Sequence, residues 1–353
     1  MSSPDPLTWA DPAREAAFAG WIAPLAQRLG LRLPTLRPAS ADASFRRYLR
    51  VDADAGSLIV MDAPPPQEDV RPFVRVAALI ERAGLHGPRV LAADAEAGFL
   101  LLTDLGSQLY LQALQTADAP GADRLMREAI AALLRWQREV NASLLPPYDA
   151  ALLQRELALF PEWCVQREHG LTWGEREQAL WQRIAALLVA SALAQPQVAV
   201  HRDWMPRNLM VCTPELGILD FQDAVRGPVT YDLASLLRDA YVSWDEEREL
   251  DWALRWWQGA RDARLFGEHP MGEDFGECWR ALEWMGLQRH LKVLGIFCRL
   301  KHRDGKLAYA ADLPRFFAYA VHVAARYRPL EPLLELLEPM TGDSMIATGY
   351  AMR

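Results

Sequence analysis

Two hydrophobic periods alternate along this chain, and the change from one to the other divides it. From Asp11 to Gly30 apolar residues recur at helical spacing (Ala17, Trp21, Leu25, Leu29), with Asp11-Pro12 to start a helix and Gly30 to stop it. A β-type section follows. Arg32-Leu33-Pro34 leads in, Ser40-Ala41-Asp42-Ala43-Ser44 is a turn of small residues, Phe45 to Asp52 alternates polar with apolar, and Ser57 to Met61 is a short buried strand. Asp69 to Gly84 sets Phe73, Val76, Ala77 and Ile80 on one helical face. Residues 89–93 and 98–103 then read as a hairpin. From Asp104-Leu105-Gly106 to about Pro196 the pattern is helical, and it is helical again after Asp223, where Ser243-Trp244-Asp245-Glu246 has the form of a capping box. This order predicts an α+β chain. Residues 1–104 form a small antiparallel-sheet lobe with one helix, and residues 105–353 a larger, mainly helical lobe.

One extended section interrupts the helical half. Gln197-Val198-Ala199-Val200 is a short apolar run that enters His201-Arg202-Asp203-Trp204-Met205-Pro206-Arg207-Asn208. Leu209-Met210-Val211 leaves it, Pro214-Glu215 turns the chain, and Gly217-Ile218-Leu219 leads to Asp220-Phe221-Gln222-Asp223. The first polar run reads H-R-D-x-x-x-x-N, and an acid follows on the next strand. Transfer of a nucleotide's terminal phosphoryl group needs a carboxylate beside the attacking hydroxyl and oxygen ligands for a metal. On that reading Asp203 takes or orients the hydroxyl proton, and Asn208 and Asp220 hold Mg2+. His201 is expected to position the loop rather than to act as a base.

Composition narrows the class without changing it. The 353 residues are 51% hydrophobic and 24% charged, enough for a sizeable core. The net charge of −8 and the lack of a basic cluster argue against a nucleic-acid partner. Cys164, Cys212, Cys278 and Cys298 lie far apart and read as thiols of a reducing compartment. Met1 to Pro6 lacks the basic stretch and apolar core of a secretion signal, and no apolar run approaches bilayer length. A soluble cytoplasmic chain without membrane contact is expected. Protein partners are left open.

The chain resembles the aminoglycoside-phosphotransferase superfamily, small-molecule relatives of protein kinases, over nearly its whole length. The resemblance rests on the loop from His201 to Asn208, on Ile218 to Asp223, and on Gly227-Pro228-Val229-Thr230-Tyr231-Asp232-Leu233-Ala234. It implies a protein-kinase-like two-lobed fold, with Asp232 bracing the catalytic loop from behind. Arg202 stands where many small-molecule kinases have glycine. Within the superfamily the chain is most similar to the anomeric sugar kinases of bacterial cell-wall recycling, which act on N-acetylmuramate and N-acetylglucosamine. Four segments carry that likeness: Ala41 to Tyr48, Val60 to Pro65, Phe99 to Gly106 and Gln288 to Gly295.

The resemblance also implies ATP as the donor and a place for it. The turn Ser40 to Ser44 stands where kinases fold a loop over the phosphates, with the Ser44 hydroxyl as a donor. Adenine would lie against Leu102-Thr103-Asp104-Leu105. Lys292, Lys301 and Lys306 are the only lysines, so the usual third-strand lysine is missing. Arg46 and Arg47 are the replacement cations, one expected to face the phosphates and the other solvent. An N-acetylmuramate carboxylate would want a cation, for which Arg207, Arg238, Arg289 and His290 are candidates, and Trp204 or Trp244 could offer the sugar ring an apolar face. Two alternatives stay open: a kinase of another small alcohol (an aminoglycoside, choline or homoserine), and a nucleotide-binding pseudokinase scaffold.

Overall fold

The structure, a computed structural model, describes Trp9 and residues 11–40 and 45–341. The first half contains α1 (Pro12–Leu29), β1 (Arg32–Ser40), β2 (Arg47–Ala53), β3 (Gly56–Asp62), α2 (Arg71–Arg82), β4 (Val90–Asp94), β5 (Phe99–Thr103), α3 (Tyr110–Thr116), α4 (Ala119–Glu139), α5 (Ala150–Leu157) and α6 (Glu175–Ala194). The second contains β6 (Gln197–Val200), β7 (Leu209–Met210), β8 (Gly217–Ile218), β9 (Val225–Pro228), α7 (Tyr231–Leu237), α8 (Glu246–Asp262), α9 (Phe275–His302), α10 (Leu313–Arg326) and α11 (Leu333–Thr341). Their contacts divide the chain into two compact units. One comprises residues 1–110 and 208–223, the other residues 111–207 and 224–353. None of the described helices is long and apolar enough to cross a membrane.

The first unit is a five-stranded sheet in the order β1-β2-β3-β5-β4, every neighbouring pair antiparallel. The Asp11 carboxylate caps α1 by accepting the Ala13 N–H, and Gly30 ends it at φ +63°, where a side chain would be strained. The buried face of α1 (Phe18, Ile22, Leu25) packs on Leu49, Val51, Val60, Phe99 and Leu101. So α1 joins α2 in this unit, beyond the single helix read from the order of elements. The first strand is longer than Arg32-Leu33-Pro34. Pro34 and Pro38 hide its pattern, yet an edge strand tolerates missing donors, and β1 lies at the edge with two register shifts.

The hairpin β7–β8 groups with the sheet unit. Val211 donates its N–H to Gln108 O at 2.9 Å, Ile218 donates to His86 O at 2.8 Å, and the Phe221 ring lies 4.6 Å from that of Phe73. By contrast β6 pairs antiparallel with β9, Val200 opposite Val225, within the helical unit. The chain therefore passes from one unit to the other between Arg207 and Asn208.

In the helical unit α9, 28 residues long, touches α5, α6, α7, α8 and α10. Trp252, Trp256, Trp257 and Trp279 are buried, as their spacing suggests. The cap of α8 falls two residues later than Ser243: the Asp245 carboxylate accepts the Arg248 N–H. Gly295 of α9 faces the start of the π-helix Phe160–Glu168, and a Cβ there would stand 2.5 Å from Leu159 O and 2.6 Å from Leu159 Cβ. Gly295→Ala is expected to destabilise the chain by about 1–3 kcal/mol through overpacking, read by chemical denaturation. An unchanged midpoint would contradict this close approach.

Candidate functional site

The loop that the sequence singles out begins where β6 ends, and a buried carboxylate holds it. Asp232, in the first turn of α7, is fully buried and accepts two backbone N–H groups, from His201 at 2.7 Å and Arg202 at 2.9 Å. Burial pushes the Asp232 carboxyl up to about 7, against the pull of those two N–H groups. Arg202 sits at φ +78°, a left-handed conformation that costs a non-glycine residue on the order of 1 kcal/mol or more. Its side chain helps to hold that backbone in place. The guanidinium donates to Glu156 on α5, which also takes Lys292 Nζ at 3.0 Å and the Tyr148 hydroxyl. Burial opposes ionisation of Glu156. Lys292 and Arg202 overcome it and hold the carboxyl below its ordinary range. Position 202 thus does without glycine because a buried ion-pair network anchors the arginine that replaces it.

Asp203 follows, half-buried, and donates its own N–H to His201 Nδ1 at 3.3 Å. His201 is wholly buried between two edge-on tryptophans, Trp136 at 5.8 Å and Trp204 at 5.5 Å. Accepting at Nδ1 leaves the imidazole proton on Nε2. This is the loop-positioning histidine expected from the sequence.

In the sheet unit the other two polar groups lie together. Asn208 Nδ2 donates to Asp220 Oδ2 at 3.4 Å, Gln222 Nε2 donates to Asp220 Oδ1 at 2.8 Å, and Leu219 N–H donates to Asn208 O at 2.9 Å. Asp220 is exposed and has φ +60°, a region that aspartate tolerates better than most residues. The buried Phe221 ring fixes the backbone behind it. An amide oxygen and an exposed carboxylate are the hard donors that Mg2+ takes, so the residues present fit that ion.

The nucleotide candidates fare unevenly. Ser44 lies outside the described residues. Leu102 is a buried strand residue. The Asp104 carboxylate is engaged by Arg50, by the Ser57 hydroxyl at 2.6 Å and by the Gly106 N–H at 2.9 Å. Burial resists its ionisation, and the hydrogen bonds from Arg50 and Ser57 prevail, so it titrates below the usual range. Neither candidate arginine simply faces solvent. Arg46 pairs with Glu68 at 2.9 Å. Arg47 lies over the Trp9 ring at 4.1 Å and binds the buried Asp62, which also takes Arg14.

The acceptor candidates need correction. Trp204 is 0% exposed and offers no face to a sugar. Arg238 is enclosed between Glu249 at 2.9 Å and Glu283 at 3.1 Å, which engage its Nε and Nη2. His290 is also 0% exposed, stacks on Tyr319 at 4.8 Å, and has Nε2 3.2 Å from Arg238 O. Packing has absorbed all three, as it commonly does with large or charged side chains at helical spacing. Arg207 is half-buried and donates to the Tyr241 hydroxyl at 2.7 Å. Sequence reasoning gave no role to Glu156, to Asp239 or to Lys292, although Lys292 lies within the Gln288 to Gly295 segment. Only their burial marks them.

The chain belongs to the phosphotransferase enzyme family, whose pattern matches residues 35–271, and it is a phosphotransferase. It is 52% identical over 303 residues to a Pseudomonas putida protein named N-acetylmuramate/N-acetylglucosamine kinase, covering 86% of this chain and 87% of that one. It is 53% identical over 302 residues to the Pseudomonas aeruginosa protein of the same name, with the same two coverages. Among solved structures it is similar in fold to a Plasmodium vivax ethanolamine kinase, with a TM-score of 0.61 at 10% identity, covering 88% of this chain and 89% of that chain.

Burial and the neighbouring Arg289 and Arg238 hold the His290 imidazole well below its ordinary value. The unfolded chain therefore takes up the proton first. The stabilisation is fully present above about pH 6.5 and is lost as the pH falls below it. The stability difference between this chain and His290→Gln is expected to shrink from pH 7 to pH 5, by up to about 1.4 kcal/mol per pH unit. Denaturant titrations at both pH values measure it, and an unchanged difference would contradict a buried neutral imidazole.

Proposed function

We propose that this chain transfers the γ-phosphoryl group of ATP to the anomeric hydroxyl of N-acetylmuramate, N-acetylglucosamine or both, releasing the sugar 1-phosphate and ADP. The observation that carries the reading is the 52% identity, across 86% of the chain, to a protein named for those two sugars. The chemistry follows from the loop. Asp203 accepts the proton of the anomeric O–H as that oxygen bonds to the γ-phosphorus and the bond from phosphorus to the β–γ bridging oxygen breaks. Asp232 and Glu156, through the His201 and Arg202 backbone and the Arg202 side chain, keep the peptide carrying Asp203 in one conformation. Asn208 and Asp220 would hold Mg2+, which neutralises charge on the phosphates when bound.

A triphosphate needs a protein cation as well, and this chain has no lysine before Lys292. Arg46 is the better of the two candidates. Its partner Glu68 immediately precedes the segment leading into α2, so the pair stands in for the lysine–glutamate pair of kinases. Arg47 is committed to Asp62, beside Arg14. Arg46→Ala should raise the ATP KM about tenfold or more, while Arg47→Ala should chiefly lower thermal stability. Equal, small effects on KM would refute the assignment. The reaction itself is tested by incubating the chain with ATP and a panel of sugars and alcohols and reading the products by phosphorus NMR. An anomeric phosphate on either N-acetyl sugar is expected, and turnover confined to choline, homoserine or an aminoglycoside would overturn the reading.

A further inference from the structure

A guanidinium taken partly out of water is held at a cost unless an anion accompanies it, and the arginines of the sites described above have one. Arg202 pairs with Glu156, Arg46 with Glu68 at 2.9 Å, and Arg238 with Glu249 at 2.9 Å. Arg207 does not. It is half-buried, four residues beyond Asp203 in the same loop, and no carboxylate among the described residues lies within ion-pairing distance of it. Its neighbours are phenols. Nη1 donates to the Tyr241 hydroxyl at 2.7 Å, Cζ lies 5.6 Å from the centre of the Tyr241 ring, and the Tyr309 hydroxyl is a second partner. Tyr241 is itself fixed, because the buried Asp239 carboxylate accepts its N–H at 2.8 Å and that of Val242 at 2.7 Å. Arg207, Tyr241, Tyr309 and Asp203 all belong to the helical unit.

A phenol orients a guanidinium without cancelling its charge, and two phenols leave part of its five-donor fork unused. Arg207 is therefore preorganised for an anion that the protein does not supply. Burial removes its rivals. Arg238 is enclosed by two glutamates, Arg289 is 3% exposed, and His290 is 0% exposed. Of the four cations named from the sequence, only Arg207 combines access to solvent with a charge left uncompensated. We propose that Arg207, oriented by Tyr241, binds the carboxylate of the acceptor sugar and so sets the preference between the two N-acetyl sugars. N-acetylmuramate carries a lactyl ether that ends in a carboxylate, where N-acetylglucosamine has only a hydroxyl. This rests on the amino-sugar reading above and deepens it. The sugar is favoured over a nucleotide phosphate because Arg207 is anchored on the unit that carries Asp203, the residue that meets the acceptor hydroxyl, whereas Asn208 and Asp220 belong to the sheet unit.

The test uses the full chain, its Arg207→Gln variant and three acceptors: N-acetylmuramate, its methyl ester and N-acetylglucosamine. The ester keeps nearly the shape of the acid and removes its charge. In the parent chain KM for the ester should exceed that for the acid about tenfold or more, the scale of a hydrogen bond between charged partners. Arg207→Gln should raise KM for the acid about tenfold or more relative to both neutral acceptors, so that acid and ester come close together. A uniform rise for all three acceptors marks a merely structural role, and a comparable rise in the ATP KM marks a phosphate as the anion. Either result overturns the proposal. Should Arg207→Gln not fold, Arg207→Lys replaces it. Lysine keeps the charge without the planar fork, so a smaller rise confined to the acid is expected. Equal KM values for acid and ester in the parent chain overturn the proposal whatever the variants do. If the parent chain turns over N-acetylglucosamine alone, the proposal fails while the amino-sugar reading stands. If it turns over neither sugar, that reading fails and the proposal with it.

Discussion

One carboxylate, that of Asp232, conditions the loop of this phosphotransferase. A catalytic loop must present a charged side chain to substrate from irregular backbone, and irregular backbone leaves N–H groups without a strand or helix to satisfy them. Asp232 satisfies two in succession, at His201 and Arg202, from within the wall behind the loop. That is the geometry in which residue 202 can take a positive φ and residue 203 can follow it. Fully buried, Asp232 has nowhere else to direct its oxygens. The Glu156 network acts on the same loop from the side-chain end.

The arrangement shows how arginine can occupy a position suited to glycine. Glycine would adopt the left-handed conformation at little cost but would leave the loop free to leave it. Arginine resists the conformation and, once there, is tethered by its hydrogen-bonded ion pair with Glu156. The cost is on the order of 1 kcal/mol, and a buried pair with further hydrogen bonds can offset it.

Much of this was legible in the sequence because the chemistry is local. Asp203, Asn208 and Asp220 stand at fixed offsets in one stretch of chain, and Asp232, expected to brace the loop from behind, accepts two of its N–H groups. The hairpin of β7 and β8 followed from Pro214-Glu215 between two apolar runs. What failed was non-local. The partner of β6 is β9, 25 residues further on at the Val200–Val225 pair, and no local pattern announces it. Two prolines disguised β1, because propensity does not know which strand will be the edge. The acceptor side was least legible. Trp204, Arg238 and His290 looked suited to a sugar by residue type, whereas burial decides whether such a side chain meets a ligand or its neighbours.

The central claim is that Asp203 does the chemistry while the loop around it is held by groups that never touch the substrate. The direct measurement is steady-state turnover of N-acetylglucosamine and ATP by Asp203→Asn, alongside nucleotide affinity and melting temperature. The account expects kcat to fall by at least about a hundredfold, the scale of a lost general base, with ATP affinity and melting temperature close to those of the parent chain. Turnover within a few-fold of the parent would contradict it.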